Sequence, residues 1–236
     1  MSKEIELNPP EVEFLEKLKE SKYSVVFKVL FRERICVMKV VSKLFPSRHC
    51  LLTYDQKYHD RGPSEWDPPY REVNLFISES TAYHRLQSKG LCQRGVIPDF
   101  YGTIRKIQPA DWPNLEMFLN DKLPPNAILI EYIPNLQQID LSSYSPKRLA
   151  KFREILDDIH AAGVLHADPK PRNMMVSLSE DDRVLWIDFD SAQTFPEGGD
   201  LSPRQRKWVE GEDEMVDYFV DALVRFRLCA TALANC

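Results

Sequence analysis

Between Val164 and Val176 the chain reads VLHADPKPRNMMV, which sets Asp168, Lys170 and Asn173 at fixed offsets between two apolar runs. Further on, WIDFD closes an apolar run with Asp188. A magnesium ion held with a nucleotide takes hard oxygen ligands from one or two carboxylates or amides and from phosphate oxygens, and Asn173 with Asp188 would supply the protein's share. Asp168 is then free to orient a hydroxyl and accept its proton, while Lys170 stabilises charge on a transferred group. The chemistry these residue types predict is phosphoryl transfer.

Such a loop needs elements to hold it. The segment SPKRLAKFREILDDIHAAG predicts a helix capped by Ser145, with Pro146 at its first position and Leu149, Phe152, Leu156 and Ile159 on one face. Gly163 ends it. Two short strands, MMV and VLWIDF, follow around the polar turn SLSEDDR, and a last helix from about Glu212 to Arg227 shows Met215, Phe219, Leu223 and Phe226 as its stripe. In the first half, SVVFKVL and ICVMKVV joined by FRER predict a hairpin that opens the fold. Prolines and histidines break every period from Phe45 to Tyr70, which predicts a loop insertion over residues 43–70. A helix after it carries Phe76, Tyr83 and Leu86 on one face, with Gly90 as its stop. Glu79 lies on that same stripe. Either it reaches solvent from the stripe's edge, or it needs a buried partner, because an unpaired buried carboxylate costs several kcal/mol. Two further strands, in VIPDFYGTIRKI and NAILIEYI, flank a polar, proline-containing insertion from Asp111 to Pro125.

Composition narrows the setting. A chain of 236 residues that is 43% hydrophobic can bury a real core. Its net charge of -5 gives no footprint for nucleic acid, and the basic cluster RQRK at Arg204 to Lys207 reads as a solvated face. No apolar run reaches the ~18 residues of a spanning helix and the start lacks a leader pattern, so the expected setting is the cytoplasm, with the nucleus left open, and no membrane partner. The five cysteines are scattered without a CxxC pair, which suggests neither disulfides nor zinc, and His49, Cys50 and His59 lack a fourth ligand.

HADPKPRN resembles the catalytic loop H-R-D-L-K-P-E-N of the eukaryotic type within the protein-kinase-like superfamily, and DFD stands where D-F-G is expected. The resemblance implies a two-lobed α+β fold. Residues 11–133 would form an antiparallel-sheet N-lobe and residues 134–236 a reduced, mainly helical C-lobe of one kinase-like domain. CVMKV is similar to the strand carrying V-A-I-K, which implies that Lys39 contacts phosphate and that Glu79 pairs with it. ILIEYIPN resembles the strand leading to the hinge, with Ile130 as gatekeeper. The carbonyl of Glu131 and the amide of Ile133 would meet the adenine edge, with Val26, Val37 and Met175 around the base. ATP and magnesium are the implied cofactors, and the partners are the nucleotide and an unidentified phosphoryl acceptor, protein or small molecule.

The chain also departs from the pattern. LKESKYSVV puts Lys19, Ser21 and Ser24 where glycines stand, and no glycine precedes Gly62. Asp190 replaces the glycine after Phe189, Ala167 replaces the loop arginine, and no A-P-E follows. These departures set a second expectation beside the phosphotransferase: a pseudokinase that keeps the fold and binds nucleotide without turnover.

Overall fold

Strand β2 (Ser24–Phe31) buries Val25, Phe27, Val29 and Phe31 and leaves the intervening residues half-buried, the period of two that a one-sided sheet requires. In this computed structural model, which describes residue 5 and residues 11–21, 23–41, 71–178 and 182–234, with side chains to residue 225, β2 turns at Arg32 and Glu33 into β3 (Arg34–Val41). Both turn residues have positive φ, 47° and 65°, the conformation that matches the twist of a tight hairpin. The predicted insertion over 43–70, with His49, Cys50 and His59, lies outside the described residues.

The hairpin does not open the fold. A strand β1 (Val12–Glu20) precedes it and pairs antiparallel with β2 through two register shifts. Its run of leucine, glutamate and lysine favours helix locally, and only pairing along the sheet edge makes it a strand. Charges along an edge also discourage pairing with another chain. With β4 (Phe100–Ile104) and β5 (Asn126–Glu131), the antiparallel sheet runs β1-β2-β3-β5-β4. One face packs a core of Val25, Phe27, Val29, Cys36, Met38, Val40 and Leu129. The segment 111–125 is less polar in place than in sequence: short helical turns at Pro109–Asp111 and Pro113–Phe118 drive Trp112, Leu115 and Phe118 into that same core. Helix α1 (Leu75–Ser88) starts at Asn74, whose Oδ1 accepts from the Ile77 amide, and buries Phe76, Tyr83 and Leu86.

The described chain falls into two compact units, Met1–His84 with Asp99–Tyr132, and Arg85–Pro98 with Ile133–Cys236. The second unit gathers the segment 85–98 by specific bonds: Trp186 donates its amide to Val96 O, Arg183 donates to the carbonyls of Gly95 and Ile97, and Arg94 pairs with Asp158. Its centre is α2 (Pro146–Ala161), capped by the Ser145 hydroxyl at the Arg148 amide, with Leu149, Phe152, Ile155, Leu156 and Ile159 buried. Gly163, at φ 76°, ends that helix, and a Cβ there would sit 2.9 Å from Nη1 of Arg85, which donates to the carbonyls of Ala162 and Phe195. Around α2 lie β6 (Leu136–Gln138), β7 (Val164–Leu165), β8 (Met174–Ser177), β9 (Val184–Trp186) and β10 (Gln193–Thr194), in the small antiparallel sheets β6-β8-β9 and β10-β7.

The last helix, α3, spans Pro203–Ala234, starting well before the predicted Glu212. Its inward face also differs. Glu212 and Val216 are buried and Met215 is exposed, while Phe219 and Leu223 of the expected stripe are half-buried. The carboxylate of Glu212 goes inward because it has backbone amides to meet, described below. The protein is thus a mixed α+β chain of antiparallel sheets and a few helices, and no described helix is long and apolar enough to cross a membrane.

Candidate active site

In the first unit, pairing register decides which side chains share a face. Val26 lies opposite Lys39, Lys39 opposite Ile128, and Val37 opposite Ile130, so all five project from the sheet face that turns away from the hydrophobic core. Helix α1 brings Glu79 to that face, and its Oε2 lies 2.9 Å from the Lys39 ammonium. Both ions are buried, with side-chain exposures of 9% for Lys39 and 1% for Glu79. The awkward acid on the apolar stripe therefore has its partner, and of its two readings the buried one holds. Glu131 ends β5 and fastens its neighbour: its amide donates to Asp99 O, and its Oε2 accepts from the Asp99 amide.

At the strand tip that aligns with the glycine-rich loop, Lys19 is still within β1, opposite Val26. The Ser21 hydroxyl accepts from the amides of Tyr23 and Ser24, which closes the turn. None of Lys19, Ser21, Tyr23 and Ser24 has positive φ, so this tip does without glycine by using a serine turn.

The second unit holds the other set. Glu212 accepts from the amide of His166 at 3.0 Å through Oε2 and from that of Ala167 at 2.7 Å through Oε1. Its Oε2 also meets Nε2 of His160 at 2.7 Å. One buried carboxylate thus pins the start of the loop to α3 and α2. His166 pins the loop to the strand after it: Nε2 faces the carbonyl of Ile187 at 3.0 Å and Nδ1 accepts from the Asp168 amide at 3.4 Å. A carbonyl only accepts and an amide N–H only donates, which assigns the proton to Nε2. The ring also packs on Trp186 and Phe189. Ala167 and Asp188 are both held at left-handed φ, 63° and 67°, a strain of roughly 1–3 kcal/mol each that the surrounding bonds must offset.

Within this frame Asp168 is surrounded. Lys170 Nζ lies 2.9 Å from Oδ1, while Oδ2 accepts from Arg172 Nη2 at 2.6 Å and from Asn173 Nδ2 at 2.9 Å. Partial burial alone would raise the carboxyl's pKa, but Lys170 and Arg172 outweigh it and hold Asp168 below the usual carboxylate range. Asn173, itself buried, spends its amide nitrogen on Asp168, also donating to that residue's carbonyl at 2.8 Å, and so turns Oδ1 the opposite way. The β8-β9 register sets Met174 against Trp186, and the Ile187 amide donates to Asn173 O. Asp188 therefore follows directly on the residue bonded to Asn173.

Of the residues singled out in the sequence, Val26, Val37, Lys39, Glu79, Ile130 and Glu131 lie in the first unit, and Ile133, Asp168, Lys170, Asn173, Met175 and Asp188 in the second. Met175 is half-buried on β8, between Gln138 and Leu185, and Ile133 is buried. His160 and His166 both carry hydrogen bonds in this frame. Two residues escaped the sequence reading. Glu212 gave no local signal, since it stands among other acids in VEGEDEMVDYF. Arg172 gave a faint one, its i,i+4 spacing from Asp168. Compared with protein-family models and with curated proteins, the chain matches none.

Proposed function

We propose that the chain is an ATP- and magnesium-dependent phosphotransferase of two-lobed, protein-kinase-like form, transferring the γ-phosphoryl group to a hydroxyl such as that of a protein serine or threonine. The observation that carries this reading is the loop 166–173, in which a strained backbone held by Glu212 and His166 presents an ionised Asp168 beside Lys170 and Asn173. Strain and ion pairing concentrated on one short polar loop suit a reacting site better than a structural turn. In this reading Asp168 accepts the acceptor's proton and Lys170 meets the transferred phosphoryl group. Lys39, oriented by Glu79, contacts the other phosphates, and Val26, Val37, Ile130, Glu131, Ile133 and Met175 surround the adenine.

Asn173 and Asp188 fit magnesium in chemistry. They offer hard oxygens, one from an amide whose nitrogen is already engaged and one from a carboxylate two residues beyond Trp186, the strand partner of Met174. Among the described residues no three His, Cys, Asp or Glu side chains form a metal cluster, so phosphate oxygens and water would complete the shell. When bound, the ion would offset charge on the phosphates.

A pseudokinase that binds nucleotide without turnover is the second reading, favoured by the serine-closed tip at Ser21 and by Arg172 on the candidate base. Label transfer from γ-labelled ATP with magnesium separates the two. The wild type transfers or releases label, and Asp168→Asn abolishes this while keeping the Mg-ATP thermal shift, which at ligand near 100 times Kd is about 2.7 kcal/mol or roughly 5–10 °C. Asp188→Asn loses both. Equal label release by wild type and Asp168→Asn leaves only the binding module, and equal loss of nucleotide binding in the two variants refutes the division of roles.

A further inference from the structure

Arg172 is the one cation at Asp168 to which the proposed chemistry gives no task. Lys170 already lies 2.9 Å from Oδ1, enough to compensate the carboxylate's charge, yet Arg172 adds a second cation at 2.6 Å from Oδ2. Asp168 is largely buried, at 14% side-chain exposure, whereas Arg172 is 56% exposed. The exposed Arg172 side chain, like that of Lys170 at 48%, thus flanks a carboxylate that is itself largely buried. Its bond to Asp168 uses one N–H of five, and among the described residues the other four make no hydrogen bond. Its planar fork suits bidentate binding of a carboxylate or phosphate, and an incoming anion would itself compensate the guanidinium that it draws from Asp168.

We infer that Arg172 selects acceptors that carry a negative charge beside the reacting hydroxyl. This rests on the phosphotransferase reading. The acceptor's anionic group takes the guanidinium, which leaves Oδ2 of Asp168 with Asn173 alone and open to the hydroxyl. The hydroxyl proton then passes to Oδ2, the acceptor oxygen forms its bond to the γ-phosphorus, and the bond from that phosphorus to the β,γ-bridging oxygen breaks, its electron pair leaving with ADP. A neutral acceptor has nothing to draw Arg172 away and meets an occupied oxygen. A cationic one is repelled.

The same chemistry fits a small phosphate ester or an acidic peptide, so the test has two arms. One compares glycerol 3-phosphate with glycerol. The other compares a short peptide with aspartates flanking a serine against its asparagine counterpart. Calorimetry without nucleotide reads binding, and γ-labelled ATP reads transfer, for wild type, Arg172→Gln and Arg172→Lys. In at least one arm, the expected wild-type preference for the charged member is tenfold or more in binding. The Gln variant brings that ratio near one, and the Lys variant recovers part of it. In transfer, Arg172→Gln loses the charged acceptor while its rate on the neutral one rises, which a merely structural role for Arg172 would not produce. No preference in either arm, or a preference unchanged in Arg172→Gln, overturns the inference and leaves the phosphotransferase reading untouched. An Arg172-dependent preference in binding with no label transferred by any variant sinks the phosphotransferase reading instead, leaving Arg172 as an anion-binding residue.

Discussion

Replacing Lys39 with methionine tests the first unit's polar face in a way that does not depend on turnover. The pair is buried on both sides and separated by 2.9 Å, so at an effective dielectric of ~20 its attraction is about 6 kcal/mol. That attraction serves mainly to offset the cost of removing two charges from water. Lys39→Met removes the compensation and leaves Glu79, at 1% exposure, ionised among Phe76, Tyr83 and Leu86 or forced to take up a proton. The expected loss is roughly 3–5 kcal/mol, which for a chain of this size lowers Tm by roughly 6–20 °C. The double variant Lys39→Met with Glu79→Leu replaces both charges by apolar groups of similar reach, and its stability should return to within about 1 kcal/mol of wild type or exceed it. Urea unfolding followed by circular dichroism on the four proteins of the cycle reads this directly. A single Lys39→Met that costs less than about 1 kcal/mol, or a double variant as unstable as the single, would refute a buried, mutually dependent pair. The double variant should also lose the Mg-ATP thermal shift despite its restored stability, which separates holding the fold from holding the nucleotide.

Other expectations concern the second unit, the strand tip and pH. Glu212→Gln keeps the size of the side chain but turns an NH2 toward amide donors, so it should cost about 1–3 kcal/mol in urea unfolding and remove turnover; a variant as stable and active as wild type would show that the loop does not need that carboxylate. Burial, with help from the Arg105 charge, pushes the His84 imidazole below its usual pKa of 6.5, and among the described residues Nε2 has no hydrogen-bond partner. The folded state then keeps His84 neutral while the unfolded chain takes up a proton, so stability is flat above pH 6.5 and falls as pH drops below it. His84→Phe should flatten that fall between pH 7.5 and about 5.5, and identical profiles would exclude His84 as a source. Ser21→Gly with Ser24→Gly frees the tip that the Ser21 hydroxyl now closes, and should lower the KM for ATP, each tenfold gain being about 1.4 kcal/mol. An unchanged KM in an active enzyme would show that this tip does not cover the phosphates.

The elements that could be read from the sequence are those whose signal is local. The β2-β3 hairpin alternates with a period of two, and α2 combines a serine cap, a first-turn proline and an apolar stripe; each appears where its pattern ends. Glu79 was legible as an anomaly, an acid on a buried stripe, and Lys39 entered as its partner only through the resemblance of CVMKV to V-A-I-K. What stayed hidden depends on distant contacts. β1 has a helix-former's composition and becomes a strand only by pairing with β2. Trp112, Leu115 and Phe118 sit in a segment that prolines and acids make look like a loop.

Glu212 shows the limit most sharply. On α3 the apolar positions argue for a stripe through Met215, and hydrophobic patterning alone would keep the acid in water, since burying a lone carboxylate costs several kcal/mol. Three donors reverse that balance: the amides of His166 and Ala167, and the His160 ring. The loop that offers those two amides also holds Ala167 at φ 63°, a conformation its side chain resists. The strain in the loop and the buried acid on the helix meet at one residue, since Glu212 bonds the amide of Ala167 itself and so helps to hold the loop there. Ala167→Gly should accordingly relieve the strain and stabilise the folded chain by up to about 1 kcal/mol while Glu212 is present, net of the glycine's extra freedom in the unfolded state. In a Glu212→Gln background, with the loop no longer held in that conformation, the gain should shrink toward zero or change sign. Equal gains in both backgrounds, measured by urea unfolding, would show that the strain at Ala167 and the burial of Glu212 are independent.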